Sequence, residues 1–304
     1  MSATRSSAGA RSAVRLLVTL LALVLAETLL AAPRRLPAGL PQGPGTATAG
    51  DPVPPATAGP TASSLAAAAD AGSLPGGAVA VADAGLGSSR ASAPTLSGPV
   101  AERSFPTASL VKLFVAADVL HRARAGLVVL DGPDHARLRA MVRSSDDAAA
   151  SALWVRHGGG RMVTDVAARF GLTGTAPPAV PGRWGQAVTT ARDVAVFLAR
   201  LPVLAHPDDA AALLGWMAEA APVAADGYDQ RFGLLALPGA VAAKQGWMCC
   251  PAGMRHLHSA GIRDGRVVVL LSETPAAAGE AAARARLDAV AAALPPPRPP
   301  AARC

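Results

Sequence analysis

Strand-forming sequence lies near residues 76–105 and again after residue 239, while about residues 110 to 221 are patterned as helix. One or two short strands are not stable alone in water, so the early strands need partners from the far end of the chain. That requirement predicts an α+β fold: an antiparallel sheet closed by the N- and C-terminal segments, with an all-helical region inserted between them. A cleft is expected where the sheet meets the helical part.

The first strand is expected in GGAVAVADAG (76–85) and a second near GPVAERSF (98–105). LVKLFVAADVL (110–120) places Leu110, Val111, Phe114, Val115 and Val119 on one broad helical face. Further helices are read at 136–142, 147–157, 160–170, 190–201 and 208–221, and a final amphipathic one at 276–294. Strands return at 239–248, 254–262 and 266–274, and Asp264-Gly265 between the last two is a hairpin signal.

Ahead of this domain, Arg5, Arg11 and Arg15 precede LLVTLLALVLA (16–26), a basic flank and apolar stretch suited to a signal peptide. Apolar sequence resumes as LLAA after Glu27 and Thr28, so an uncleaved anchor over 16–32 is the alternative. Residues 33–72, rich in Pro, Ala, Gly and Thr, read as a disordered linker. The expected organisation is thus 1–32 leader or anchor, 33–72 linker, 73–294 folded domain and 295–304 Pro-rich tail. The protein is expected to be exported, with membrane contact only through its N-terminal segment, and to be a monomer.

A net charge of +7 does not amount to a nucleic-acid surface. Several arginines fall in the leader and tails, and aromatics make up only 3% of the chain, too few for base-stacking platforms. No Gly-rich phosphate loop is present. Cys249, Cys250 and Cys304 lack zinc spacing, and a bridge from one of the adjacent pair to Cys304, or free thiols, are both open. No cysteine precedes position 249 in this sequence, which excludes a lipid-modified one near its N-terminus. His256 and His258 share a strand face and read as surface residues; His157 suits a helix C-terminus as a cation.

The chain has no asparagine and 26 arginines, yet only two lysines, Lys112 and Lys244. Where a generic cation suffices, this composition writes Arg, so each Lys is suspected of chemistry that Arg cannot perform. A desolvated lysine loses its proton and can act as a base; arginine cannot. Ser109 stands one helical turn before Lys112, at the start of a helix whose free N–H groups suit a developing oxyanion. Ser145-Asp146-Asp147 lies between two helices and Lys244-Gln245-Gly246 on a strand.

These three stretches, FPTASLVKLFVAADVL, SSDDAAASALW and LPGAVAAKQG, resemble the penicillin-recognising serine acyl enzymes, closest to class A β-lactamases. That family carries Ser-x-x-Lys, Ser-Asp-Asn and Lys-Thr-Gly in this order. The resemblance implies a β-lactamase/transpeptidase-like fold, no cofactor or metal, and a β-lactam or peptidoglycan stem peptide as small-molecule partner. It implies a catalytic set of Ser109 as nucleophile, Lys112 as its base partner, Ser145 as proton donor to the leaving nitrogen, and Lys244 holding Ser145. Asp147, Gln245, Gly246 and Trp247 are the implied substrate-binding residues, with the N–H groups of Ser109 and Trp247 as oxyanion hole.

The departures are specific. Asp147 replaces an amide donor with a carboxylate, and Gln245 replaces the short hydroxyl of Thr or Ser. No Asp or Glu lies between Asp165 and Asp193, where the family's deacylating glutamate is expected. The implied function is an acyl-enzyme on Ser109 that deacylates slowly; the alternatives are a degenerate binding or scaffold protein and an esterase for another small acyl substrate.

Overall fold

The computed structural model describes residues 62–71, 75–87, 93–97, 100–239 and 241–295, all within the compact unit that begins at Pro55. The leader, most of the linker and the tail lie outside the described residues. In chain order the elements are α1 (Ala62–Ala71), β1 (Ala78–Gly85), β2 (Thr95–Ser97), β3 (Phe105–Pro106), α2 (Val111–Arg124), α3 (Gly132–Arg143), α4 (Asp147–His157) and α5 (Gly160–Phe170). They continue with β4 (Val188–Thr189), α6 (Ala191–Leu204), α7 (Pro207–Ala218), β5 (Ala242–Met248), β6 (Met254–Arg263), β7 (Arg266–Pro275) and α8 (Gly279–Ala292).

The expected closure by the chain ends is present. β1 pairs antiparallel with β7, giving a five-stranded sheet in the order β2-β1-β7-β6-β5. Asp264 and Gly265 both have positive φ, 51° and 74°, as the tight β6–β7 hairpin requires. Both faces of the sheet are covered, which explains the unbroken apolar run Val267–Leu271. Ala80, Ala82, Ala260, Val267, Val269 and Leu271 face the helical region, while Val79, Val81, Leu257, Val268 and Leu270 face a second core built on Leu65, Leu287 and Val290. Through the middle of the helical region runs α2, buried without interruption from Val111 to Leu120.

Two expectations fail here. The linker was read to residue 72, but Ala62–Ala71 is helical and packs against α8. Alanine has the highest helix propensity, and Leu65 with Ala68 and Ala69 forms a stripe that is buried in this contact. The second strand is not at 98–105: β2 lies at Thr95–Ser97 against β1, and Phe105–Pro106 pairs instead with β4 in a separate two-stranded sheet. No helix among the described residues is long and apolar enough to cross a membrane.

Candidate active site

Ser109 lies in a 3₁₀ turn, Ala108–Leu110, that feeds α2. The preceding residue Ala108 has φ 46°, a left-handed conformation costing on the order of 1 kcal/mol for a residue with a Cβ. Hydrogen bonds on both sides hold that backbone. Thr107 N donates to Ala187 O at 2.7 Å, and Leu110 N to Thr107 O at 3.0 Å. From the sheet, His258 Nε2 reaches Pro106 O at 2.8 Å, while its Nδ1 accepts from Ser272 N at 3.2 Å. These partners fix the Nε2–H tautomer, and burial holds His258 down at about 3, so it is a neutral pin between β6 and the Ser109 turn.

Ser145 caps the passage from α3 to α4 with φ 52°, again left-handed. Asp146 holds the turn by accepting from Ala149 N at 2.9 Å as the N-cap of α4. The Ser145 hydroxyl lies between the two lysines: Lys112 Nζ is 3.1 Å and Lys244 Nζ 2.8 Å from Oγ. Lys112 also donates to Ser145 O and to Asp147 Oδ1, each at 2.6 Å. Lys244 donates to Gln245 O at 2.8 Å. Three motifs spread over the chain therefore meet on one oxygen.

Burial lowers Lys112 below the ordinary lysine range, and the Asp147 carboxylate pulls it back up. Lys244 is pushed well below that range by burial, with the Lys112 charge adding to the effect. Neither amine is a generic surface cation.

β5 is the sheet's edge strand and runs beside the Ser109 turn. A Cβ on Gly246 would stand 3.2 Å from Thr107 O and 3.3 Å from Ser109 N, so its missing side chain makes room for the Ser109 turn. Gln245 does not reach the cleft. It is fully buried on the other face of β5, donating from Nε2 to Gln230 O at 3.0 Å and to Phe232 O. The alternation of a strand sends Lys244 and Gln245 to opposite faces. Trp247 lines the cleft, stacked on Tyr228 with ring centroids 4.5 Å apart, and its Nε1 donates to Asp226 Oδ2 at 3.2 Å.

The cleft is a cavity of about 560 Å³ with Ser109 and Asp147 on one side, residues 182–186 on another and the end of β5 on a third. The wall where a carboxylate was missed in the sequence presents Arg183, Trp184 and Gln186. The Trp184 ring centroid is 5.0 Å from Lys112 Nζ, and its Nε1 donates to Ser151 Oγ at 3.2 Å. Trp184, Arg183 and Met248 escaped sequence reasoning because they belong to no motif; His258 was noticed for the wrong reason. Cys249 and Cys250 also line the cavity, with Cα atoms 3.1 Å apart. Cys304 lies outside the described residues.

His256 and His258 are buried, not on the surface, because the segment ahead of Ser109 covers their strand face. His157 is likewise buried at the end of α4, and burial lowers it, so it is no exposed helix-end cation. Among the described residues no group of three His, Cys, Asp or Glu side chains could hold a metal ion.

No family model matches the chain. Proteins named "Putative lipoprotein LppW" in Mycobacterium bovis and Mycobacterium tuberculosis are 40% identical over 193 residues, covering 60% of this chain. The chain spans 59% of the length of these curated relatives. Among solved structures, a β-lactamase from Sphaerobacter thermophilus superposes with a TM-score of 0.59 at 19% identity, over 78% of this chain and 99% of that one. A β-lactamase from Chitinophaga pinensis gives 0.59 at 17% identity over 76% and 96%. A variant of PBP-A, solved as its acyl-enzyme complex with penicillin G, gives 0.56 at 17% identity over 76% and 95%. The chain has the fold of the β-lactamases and penicillin-binding proteins.

Proposed function

We propose that the protein is an exported serine acyl-enzyme of the cell envelope in which Ser109 attacks the carbonyl of a β-lactam or a D-alanyl peptide. The observation that carries this reading is the convergence of Lys112 and Lys244 on the Ser145 hydroxyl beside a nucleophile turn that lines the cavity. A serine hydroxyl is a weak nucleophile until a base removes its proton, and the buried lysine pair supplies such a base. Ser145 then carries the proton to the leaving nitrogen. The N-terminal turn of α2 and the free edge of β5 offer backbone N–H groups to the oxyanion.

Release of the acyl group is slow in this reading. The stretch 182–186 of the cavity lining offers Trp184 and Gln186 but no carboxylate, and the one carboxylate of the lining, Asp147, is paired with Lys112. A missing general base costs a factor of about 10² to 10⁴. Envelope location follows the name borne by the LppW relatives, and we assign attachment or export to the apolar residues 16–32.

A second reading, an esterase for a small acyl group without a carboxylate, is favoured by two observations. The side chain at 245 is turned into the core, and the second motif presents Asp147, 62% exposed, toward the cleft. Intact mass after incubation with benzylpenicillin and, separately, with a fluorophosphonate probe tests both. An adduct with both reagents that is lost in Ser109→Ala supports the first reading, and an adduct with the probe alone supports the second. No adduct with either leaves a binding or scaffold protein.

A further inference from the structure

We infer that Lys244, rather than Lys112, is the amine that accepts the proton released when Ser109 is acylated, and that it does so through the Ser145 hydroxyl. This rests on the acyl-enzyme reading above and assigns the work within the same site.

The donor counts of the two lysines differ. A lysine ammonium has three N–H donors and no acceptor. Lys112 has three oxygen partners, Ser145 O, Ser145 Oγ and Asp147 Oδ1, one of them a carboxylate. That is the complete complement of an ammonium, with a counter-charge at 2.6 Å. Among the described residues Lys244 has two oxygen partners, Gln245 O and Ser145 Oγ, and makes no ion pair. Two partners suit a neutral amine that donates to Gln245 O and accepts the Ser145 O–H with its lone pair.

Two ammonium groups on one hydroxyl oxygen repel, so one of the pair gives up its proton first, and Asp147 decides which. The groups facing Lys244 are Lys112 from α2, Ser145 and Asp147 from the second motif, Asp226 from the loop after α7, and the Trp247 ring 5.7 Å away. The directions agree: burial and the Lys112 charge depress Lys244 strongly, against upward pulls from Asp147 and Asp226 by charge alone, while Asp147 acts on Lys112 by both charge and hydrogen bond and offsets part of its burial.

The resulting step balances. Ser109 Oγ bonds to the substrate carbonyl carbon; its proton passes to Ser145 Oγ as the Ser145 proton passes to Lys244 Nζ. When the tetrahedral intermediate collapses, the Lys244 ammonium returns a proton through Ser145 to the leaving nitrogen as the C–N bond breaks. The Ser109-to-Ser145 leg closes in the substrate complex, where catalytic hydrogen bonds commonly tighten. Lys112 stays protonated, a fixed positive charge beside the reacting carbonyl.

The chain itself supplies the test, because it holds only two lysines. The full-length protein labelled with ¹³C,¹⁵N-lysine gives two side-chain signals, and Asp147→Asn shifts the Lys112 one and identifies it. The expected result is that Lys244 deprotonates at lower pH than Lys112. The rate of Ser109 labelling by a fluorophosphonate should rise with pH along the Lys244 titration, and Lys244→Arg should lower it by about 100-fold or more and remove that limb. A lower titration for Lys112, or a labelling profile that follows Lys112, overturns this assignment and leaves the acyl-enzyme reading standing. Titrations in the expected order with no labelling of Ser109 sink the acyl-enzyme reading, and the proton path with it.

Discussion

Asp147 Oδ1 accepts from Lys112 Nζ at 2.6 Å, an ion pair in which the lysine is fully buried and the carboxylate faces the cleft. An asparagine, found at this place in the motif that the stretch resembles, has one oxygen and one nitrogen at its tip. Asp147 supplies the oxygen toward Lys112, but its other tip atom is a second acceptor where an amide would donate to a substrate carbonyl. Two acceptors meeting across a binding site leave both without a proton to share. We expect Asp147→Asn to raise the rate of acylation by benzylpenicillin about tenfold, the worth of one regained hydrogen bond of roughly 1.4 kcal/mol. The second-order rate constant for adduct formation by mass spectrometry checks this, and an unchanged or slower rate would refute the role given to the missing donor.

Gly246 tests the packing of strand against nucleophile. A Cβ there meets Thr107 O at 3.2 Å and Ser109 N at 3.3 Å, both backbone atoms that cannot swing aside. Gly246→Ala should therefore push the Ser109 turn away by a few tenths of an ångström. A displacement that small is tolerated by the fold but not by a reacting geometry. Labelling of Ser109 by a fluorophosphonate should fall by about tenfold, with a change in Tm of no more than about 5 °C. Equal labelling of the two proteins would show that β5 does not position the nucleophile.

What the sequence made legible was local. α4 and α5 begin and end where they were read, because Asp146, Gly158 and Gly171 carry their caps within the segment itself. The Asp264-Gly265 hairpin was equally local. The two lysines could be singled out because Arg replaces them everywhere else. What was missed depended on partners far along the chain. α1 is an Ala-rich stretch whose folding relies on α8, and a composition of that kind also suits a tether. Gln245 was given to the substrate because its motif position suggests it; its side chain instead satisfies carbonyls of a loop at 230–232. Trp184 and Arg183 line the cleft from a segment with no periodicity and no motif.

His258 gives the fold a pH dependence whose sign is fixed by its burial. Its folded-state value is about 3 against 6.5 for a free side chain, so the unfolded chain takes up the proton first on acidification. The contribution is fully present above pH 6.5 and is lost as the pH falls from 6.5 toward 3. At about 1.4 kcal/mol per unit, its ceiling is about 5 kcal/mol. His256, also lowered by burial, adds in the same direction. Urea midpoints at pH 7, 5 and 4 should fall more steeply for the natural protein than for His258→Gln, whose side chain does not titrate. Parallel slopes would mean that His258 is not held neutral.

The last expectation concerns the fate of the acyl group. Hydrolysis of an ester on Ser109 needs a water made nucleophilic by a base on the cavity wall. That wall is formed by residues 182–186, where Trp184 turns an indole toward Lys112 and Gln186 is the one side-chain amide. A neutral amide can orient a water without taking its proton. We therefore expect benzylpenicillin to leave a persistent adduct on the natural protein with little steady-state turnover. Gln186→Glu places a carboxylate on the same wall, at nearly the same volume. It should shorten the lifetime of the adduct by at least about tenfold, a fraction of the 10² to 10⁴ that a well-placed base supplies. Pulse labelling followed by timed mass spectra measures both lifetimes. If the natural protein releases its adduct within seconds, some other group already activates water and the role assigned to this wall is wrong. If the adduct is equally persistent in both, position 186 does not face the water's approach, and the indole of Trp184 becomes the feature that keeps water out. In that case Trp184→Ala, which opens the space beside Lys112, should shorten the lifetime where Gln186→Glu did not.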